Sequence, residues 1–292
     1  MLLSYGTNGP RRIVCLTEET TETLYLLGQA DRIVGVSGYT CRPQEARQKP
    51  KVSAFTSAKI EKILELRPDL VLGFSDLQAG IAQDLIKAGV NVCVFNQRSV
   101  DEIFEMILML ARMVAADSQG RELADRLRGE LEQIRQAASR FPWRPRVFFE
   151  EWADPLISGI RWVDELVELA GGEPVFPGLR EQHGAMGRVV TAAQVAEANP
   201  DVILASWCGR KVNKQQIRNR GNWAQTSAVG RNHIYEIKST YILQPGPASL
   251  TEGVRQIHTI LARVAGGEAA PGLAPLERMD PDLGDQVAGL PA

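Results

Sequence analysis

A chain of 292 residues, 44% hydrophobic and 23% charged, has the composition of a folded globular protein with room for two domains, each able to bury its own core. Its 33 basic and 35 acidic residues nearly cancel, which removes the electrostatic case for nucleic acid or an anionic membrane as partner. No stretch approaches the roughly twenty apolar residues of a membrane span, and residues 1–12 (MLLSYGTNGPRR) lack the basic start and apolar core of a secretory signal; the sequence reads as cytoplasmic, or as extracytoplasmic if the start site hides a signal.

In chain order, Ile13 to Leu16 reads as a strand and Thr20 to Leu27 as a helix ended by Gly28. Ile33 to Val36 is a second strand, Ala58 to Leu66 a helix stopped by Pro68, and Leu70 to Phe74 a third strand. Ile81 to Ala88 is a helix ended by Gly89, and Val92 to Phe95 a strand. Apolar runs without polar alternation, separated by helices, predict a parallel sheet covered on both faces.

Ser99 and Glu102 have the spacing of a capping box for a helix to about Ala115, and Asp117 opens a second helix to about Arg140. Leu123, Leu127, Leu131, Ile134 and Ala138 form one stripe of that second helix while charged and amide residues fill the rest. Roughly 22 residues at about 1.5 Å each span on the order of 33 Å, enough to act as a stiff strut. After Pro142 the alternation restarts: a strand at Val147 to Phe149, a helix at Val163 to Leu169 ended by Gly171-Gly172, a capping box at Thr191 and Gln194, a strand after Pro200, a strand at Ile234 to Ile237, and a helix from about Leu250 to Val264. The segment Arg67 to Asp76 (RPDLVLGFSD) is echoed by Asn199 to Cys208 (NPDVILASWC), as expected of equivalent strands in two lobes. The expectation is an α/β protein of two Rossmann-like lobes with parallel sheets, 1–116 and 143–265, joined by a long rigid helix at 117–142, with a ligand cleft between the lobes. Residues 266–292, rich in Gly, Pro and acids, read as a mobile tail.

Ligands of open parallel sheets bind beyond the carboxyl ends of the strands. The loops collected there hold Glu19, Tyr39, Arg42, Phe55 and Phe74 in the first lobe, and Glu151, Trp152, Arg161, Trp207 and Tyr241 in the second. Aromatic walls with a few polar groups suit a large, flat, amphipathic ligand. The adjacent Glu150 and Glu151 point to opposite faces of a continuing strand and cannot work as an acid/base pair. The three histidines are scattered, the four cysteines read as free thiols without metal-site spacing, and no phosphate-binding glycine loop is present. Catalysis has no positive signal, so the reading is a binder and not an enzyme. It requires no cofactor.

The ordered combination of RIVCLTEETTETLYLLGQADRIVGVSGY, VSAFTSAKIEKILELRPDLVLGF, the strut, PLISGIRWVDELVELAGGEPVF and the C-terminal helix resembles the periplasmic binding proteins of the helical-backbone class, over about residues 11 to 264. Members serve ABC importers of cobalamin, iron siderophores and haem, and the likeness is closest to the cobalamin binders. The resemblance implies a small-molecule chelate, cobalamin or a related metal chelate, as ligand and an ABC permease as partner. It matches Tyr39 to a tyrosine after the second strand. Phe55, Phe74 and Tyr241 stand where cobalamin binders often have tryptophan or another aromatic, and Arg42 and Trp152 fall at more variable positions. Exported members carry one docking acid on each lobe; Asp76 fits in the first, while Ser239 to Ser249 contains none. The competing reading is a cytoplasmic enzyme or metallochaperone for a tetrapyrrole or corrinoid, with Glu19, Glu151 and Cys208 as its polar groups.

Overall fold

The computed structural model describes residues 9–270, which divide into two compact units. One takes the chain up to Gln97 together with Asp101–Leu127; the other takes Arg98–Val100 and the chain from Arg128. In the first unit, β1 (Ile13–Cys15), β2 (Ile33–Ser37), β3 (Lys51–Ser53), β4 (Leu70–Phe74) and β5 (Val92–Phe95) form one parallel sheet in the order β3-β2-β1-β4-β5. The crossovers include α1 (Glu18–Leu26), α2 (Ile60–Glu65) and α3 (Ala79–Lys87), and α4 (Val100–Met113) follows the last strand. Gly28 and Gly89 end α1 and α3 at φ values of 70° and 83°, which glycine adopts without strain. Val14, Leu16, Val52, Ile63, Val71 and Leu85 pack as a core of this unit.

The helix α5 (Asp117–Ala138) has 22 residues, and all five members of its predicted apolar stripe are buried. The boundary between the units falls within it, after Leu127.

In the second unit β6 (Arg146–Ala153), β9 (Val202–Ala205) and β10 (Ile234–Glu236) are parallel, in the order β10-β9-β6. The far side of β6 is filled in succession by the parallel β8 (Glu173–Pro174) and the antiparallel β7 (Leu156–Ser158). β7 is a strand the sequence did not announce, and it makes this sheet mixed where a parallel one was expected. Around it run α6 (Arg161–Leu169), α7 (Ala192–Ala198), α8 (Lys214–Arg218), α9 (Ser227–Gly230), α10 (Ser239–Ile242) and α11 (Val254–Ala265), the last entered directly from a π-helical stretch at Ser249–Gly253. The capping box on α7 forms as its spacing predicts, Thr191 and Gln194 each bonding the other's backbone. Trp223 and Phe148 are fully buried with their rings edge to face, and Trp162 is buried with its indole N–H on the Ile242 carbonyl at 2.9 Å.

The echoed segments are one device used once in each unit. Asp69 accepts the backbone N–H groups of Arg11 and Arg12 at 2.7 and 2.9 Å, and its own N–H bonds the Arg12 carbonyl. Asp201 does the same to Arg146, accepting its N–H at 3.0 Å and donating to its carbonyl at 2.8 Å. The residues before the two prolines, Arg67 and Asn199, both lie at positive φ, 47° and 44°. In each copy the Pro-Asp pair clasps the start of the neighbouring strand, setting Leu70 opposite Ile13 and Val202 opposite Val147.

The expected mobile tail begins differently. Gly266 caps α11 at φ 69°, and the Ala270 N–H donates to the Nε2 of buried His258, whose Nδ1 faces the Ala170 carbonyl. Nε2 accepts that bond and so carries no hydrogen, which leaves a neutral imidazole whose Nδ1–H donates to Ala170, and burial pushes its pKa down. The rest of the tail lies outside the described residues.

Candidate functional site

In the first unit the strand order reverses between β1 and β4, so the loops leaving these strands diverge and open a crevice at their carboxyl ends. The loop after β1 delivers Glu19, those after β2 deliver Tyr39 and Arg42, that after β3 delivers Phe55, and β4 ends on Phe74. The five residues therefore meet at one edge of one sheet.

A residue absent from the sequence reading holds this edge together. Gln78 is fully buried; its side-chain oxygen accepts the Phe74 N–H at 2.9 Å and its amide donates to the Phe55 carbonyl at 2.8 Å. Gly73 allows this, because a Cβ there would stand 2.7 Å from the Gln78 oxygen. Ser75, next along, is held at φ 65° with its hydroxyl accepting from the Leu77 N–H. Phe74 is only 6% exposed, so it is chiefly a packing residue, whereas Phe55 and Tyr39 keep partial exposure. Arg42 pairs with Glu22 at 3.2 Å.

Glu19 is 1% exposed, with the Thr17 hydroxyl donating to one oxygen and no partner on the other. Burial raises its pKa to about 7, aided by the Glu22 charge and opposed by the Thr17 bond. Glu18, which keeps part of its surface, is pushed in the same direction by burial and by Glu19. Beneath them Cys15 is a buried free thiol whose pKa burial pushes up to about 12.

In the second unit β6 ends on Glu151, Trp152 and Ala153, β9 leads into Trp207, and β10 into Tyr241. These residues also leave parallel strands at one edge. Arg161 does not join them, because it follows β7, which runs the opposite way; it is held by Glu165 at 2.8 Å, with Glu181 at 3.7 Å.

The adjacent glutamates occupy separate ion pairs, in keeping with opposite faces. Glu150, 0% exposed, receives the Arg220 fork at 2.6 and 3.1 Å and the Trp207 indole at 3.2 Å. Arg220 in turn lies over the Trp223 ring at 4.6 Å. Burial pushes the Glu150 carboxyl up, and the Arg220 fork pulls it back. Glu151 receives the fork of Arg188 at 2.5 and 3.1 Å, and Arg188, 1% exposed, also donates to the Ser158 carbonyl. Both carboxylates are neutralised by bidentate arginines, an arrangement that positions backbone and leaves no free base. Asp164, buried near Arg180 and Arg188, is pushed up to about 7 by desolvation. Trp207, expected as a ligand wall, is 6% exposed within the core of its unit. Its indole turned inward to reach Glu150, a partner 57 residues away that the local sequence does not announce.

A groove of about 530 Å³ in the first unit is lined by Ser75, Asp76, Ala79, Gln83, Ile86 and Val94, among others, and by none of the candidate aromatics. It runs along α3 and the edge strand β5. Among the described residues no helix is long and apolar enough to cross a membrane.

The chain belongs to the periplasmic binding protein family, whose model matches residues 13–241, and the two α/β units are those of its two-lobed class. Among its relatives is the vitamin B12-binding protein of Vibrio campbellii, 27% identical over 253 residues that cover 83% of this chain and 87% of that one. An ABC transporter substrate-binding lipoprotein of Bacillus subtilis, YvrC, is likewise 27% identical over 85% of this chain and 79% of its own. The crystal structure of the periplasmic vitamin B12 binding protein BtuF of Vibrio cholerae superposes with a TM-score of 0.69 at 26% identity, covering 89% of this chain and 99% of that one. The periplasmic heme-binding protein RhuT from Roseiflexus, at 24% identity and a TM-score of 0.75 over 88% and 100% of the two chains, shares the fold. Three of these names are periplasmic or lipoprotein, and the cytoplasmic expectation finds no support among them.

Proposed function

We propose that this protein is an extracytoplasmic solute-binding protein for a corrinoid or similarly large metal chelate, which it hands to an ABC permease. The observation that carries this reading is the match to vitamin B12-binding proteins along more than four fifths of the chain. Two edges support it, each presenting side chains at the carboxyl ends of parallel strands: Tyr39 and Phe55 with Arg42 in one unit, Trp152 and Tyr241 in the other. Each edge offers a chelate aromatic surface in exchange for water, with polar groups setting its orientation. Phe74 and Trp207 then back the walls from within.

Binding without turnover accords with the family, and the placement of the carboxylates supports it. Glu150 and Glu151 are spoken for by Arg220 and Arg188, and Glu19 is buried. An absorbance titration with cyanocobalamin, dicyanocobinamide, haemin and a ferric siderophore tests the reading. It is supported by saturable one-to-one binding of at least one chelate that is recovered chemically unchanged. No binding of any of the four, or conversion of the bound one, contradicts it.

A further inference from the structure

Although the chain as a whole is nearly neutral, one segment of the second unit is not. From Gly209 to Gly221 it carries Arg210, Lys211, Lys214, Arg218 and Arg220 and no acid. Arg220 is committed to Glu150, and Arg218 donates to the Asn232 side chain. Of the neighbouring acids, Glu151 is taken by Arg188, and Glu236 accepts the Val212 N–H at 3.1 Å. Arg210, Lys211 and Lys214 are exposed and have no acidic partner among the described residues.

Arg210 is not loosely placed. The segment Trp207 to Arg210 is a tight turn, closed by the Arg210 N–H on the Trp207 carbonyl at 3.1 Å, with Gly209 at φ 67°. Trp207 anchors the turn through its indole bond to buried Glu150. The Arg210 guanidinium then lies 5.6 Å from the centre of the Trp152 ring, and the Trp152 indole N–H is fixed on the Asp154 carbonyl at 3.0 Å. A guanidinium held over an aromatic face by cation–π attraction makes no hydrogen bond to the ring and keeps its N–H donors available to a ligand's oxygens. Such a group selects carboxylate or phosphate oxygens, and lysines next in the chain add to the local field.

We propose that Arg210, seated on Trp152 with Lys211 and Lys214 following it, is an anion-selecting subsite for carboxylate or phosphodiester oxygens carried on the rim of the bound chelate. This rests on the proposed function and narrows it to chelates that bear an anionic group. Dicyanocobinamide has the corrin ring of cyanocobalamin without the phosphodiester, and haemin carries carboxylates; the three ligands therefore separate the two sources of anion from the ring itself.

The test is titration of wild type, Arg210→Gln and Arg210→Lys with the three ligands at low and high salt, after confirming unchanged unfolding midpoints. Wild type is expected to favour cyanocobalamin or haemin over dicyanocobinamide. Arg210→Gln is expected to lose about 10- to 100-fold in affinity for the favoured anionic ligand and less than about twofold for dicyanocobinamide, with a flatter salt dependence. Arg210→Lys should keep the salt dependence and lose part of the affinity. Preference for dicyanocobinamide, equal losses on all ligands, or no loss overturns the subsite while leaving a chelate binder standing. Failure of wild type to bind any of the three overturns the subsite, and the chelate-binding reading beneath it then rests on the ferric siderophore alone.

Discussion

The pair Glu150–Arg220 is the deepest charge in the second unit, and removing its cation is the sharpest perturbation of that unit. Glu150 has no exposed surface and three hydrogen bonds, two of them from Arg220. Arg220→Ala leaves a buried carboxylate with one neutral donor, the Trp207 indole, and also removes the cation stacked on Trp223. Breaking a buried pair on one side costs about 3 to 5 kcal/mol, a large part of the roughly 5 to 15 kcal/mol that holds a domain folded. The pH dependence has a definite sign. Without Arg220 the folded-state pKa of Glu150 rises further above its unfolded value, so the penalty is full above the folded pKa and fades as the pH falls toward the ordinary carboxylate range. All five tryptophans lie in the second unit, so urea unfolding followed by tryptophan fluorescence reports on that unit alone. A loss below about 1 kcal/mol at pH 8, or an equal loss at pH 5, would refute the reasoning.

Other expectations follow from single positions. A Cβ at Gly172 would stand within 2.8 to 2.9 Å of Val167, Leu261 and Val147, so Gly172→Ala should cost about 1 to 3 kcal/mol by overpacking, measured by the same unfolding experiment. Glu19 and Asp164 have folded-state pKa values of about 7, above their unfolded values, so the stability they contribute is complete at low pH and is lost as the pH rises through about 7. Glu19→Gln and Asp164→Asn should each flatten the fall in melting temperature between pH 5 and 8. Tyr241→Ala, at a partly exposed position in α10 beyond the end of β10, should weaken chelate binding by about 1 to 3 kcal/mol with little change in stability. Phe74→Ala, at a buried strand end, should cost about 3 to 5 kcal/mol of stability, read by chemical denaturation.

What the sequence reveals depends on how local its cause is. The strands Leu70–Phe74 and Val92–Phe95 were legible to the residue because unbroken apolar runs bounded by Pro68 and Gly89 have one economical placement. The three-residue strands Lys51–Ser53 and Leu156–Ser158 were not, since their pairing is decided by partners far along the chain. The loop residues of the first unit can be grouped from sequence because parallel strands deliver their carboxyl ends to one edge, whereas Arg161 follows β7, whose antiparallel direction the sequence does not announce. Glu150 and Glu151 announced opposite faces, but nothing near them announced Arg220 and Arg188, 70 and 37 residues away. Gln78 was hidden for a related reason, since its role is set by two backbone groups, one on β4 and one in the loop after β3. Trp207 follows an apolar strand and so looked like a cleft aromatic; only the position of Glu150 shows that it faces inward.

The central claim is that the chain binds a large metal chelate through its strand-end loops. Hydrogen–deuterium exchange of the protein alone and saturated with its tightest-binding chelate measures this directly. The account predicts slowed exchange in Thr17 to Glu19, Ser37 to Arg42 and Ala54 to Phe55 of the first unit, and in Trp152 to Asp154, Ser206 to Arg210 and Ser239 to Tyr241 of the second. No protection in these loops, or protection falling along α3 and β5 instead, would contradict it.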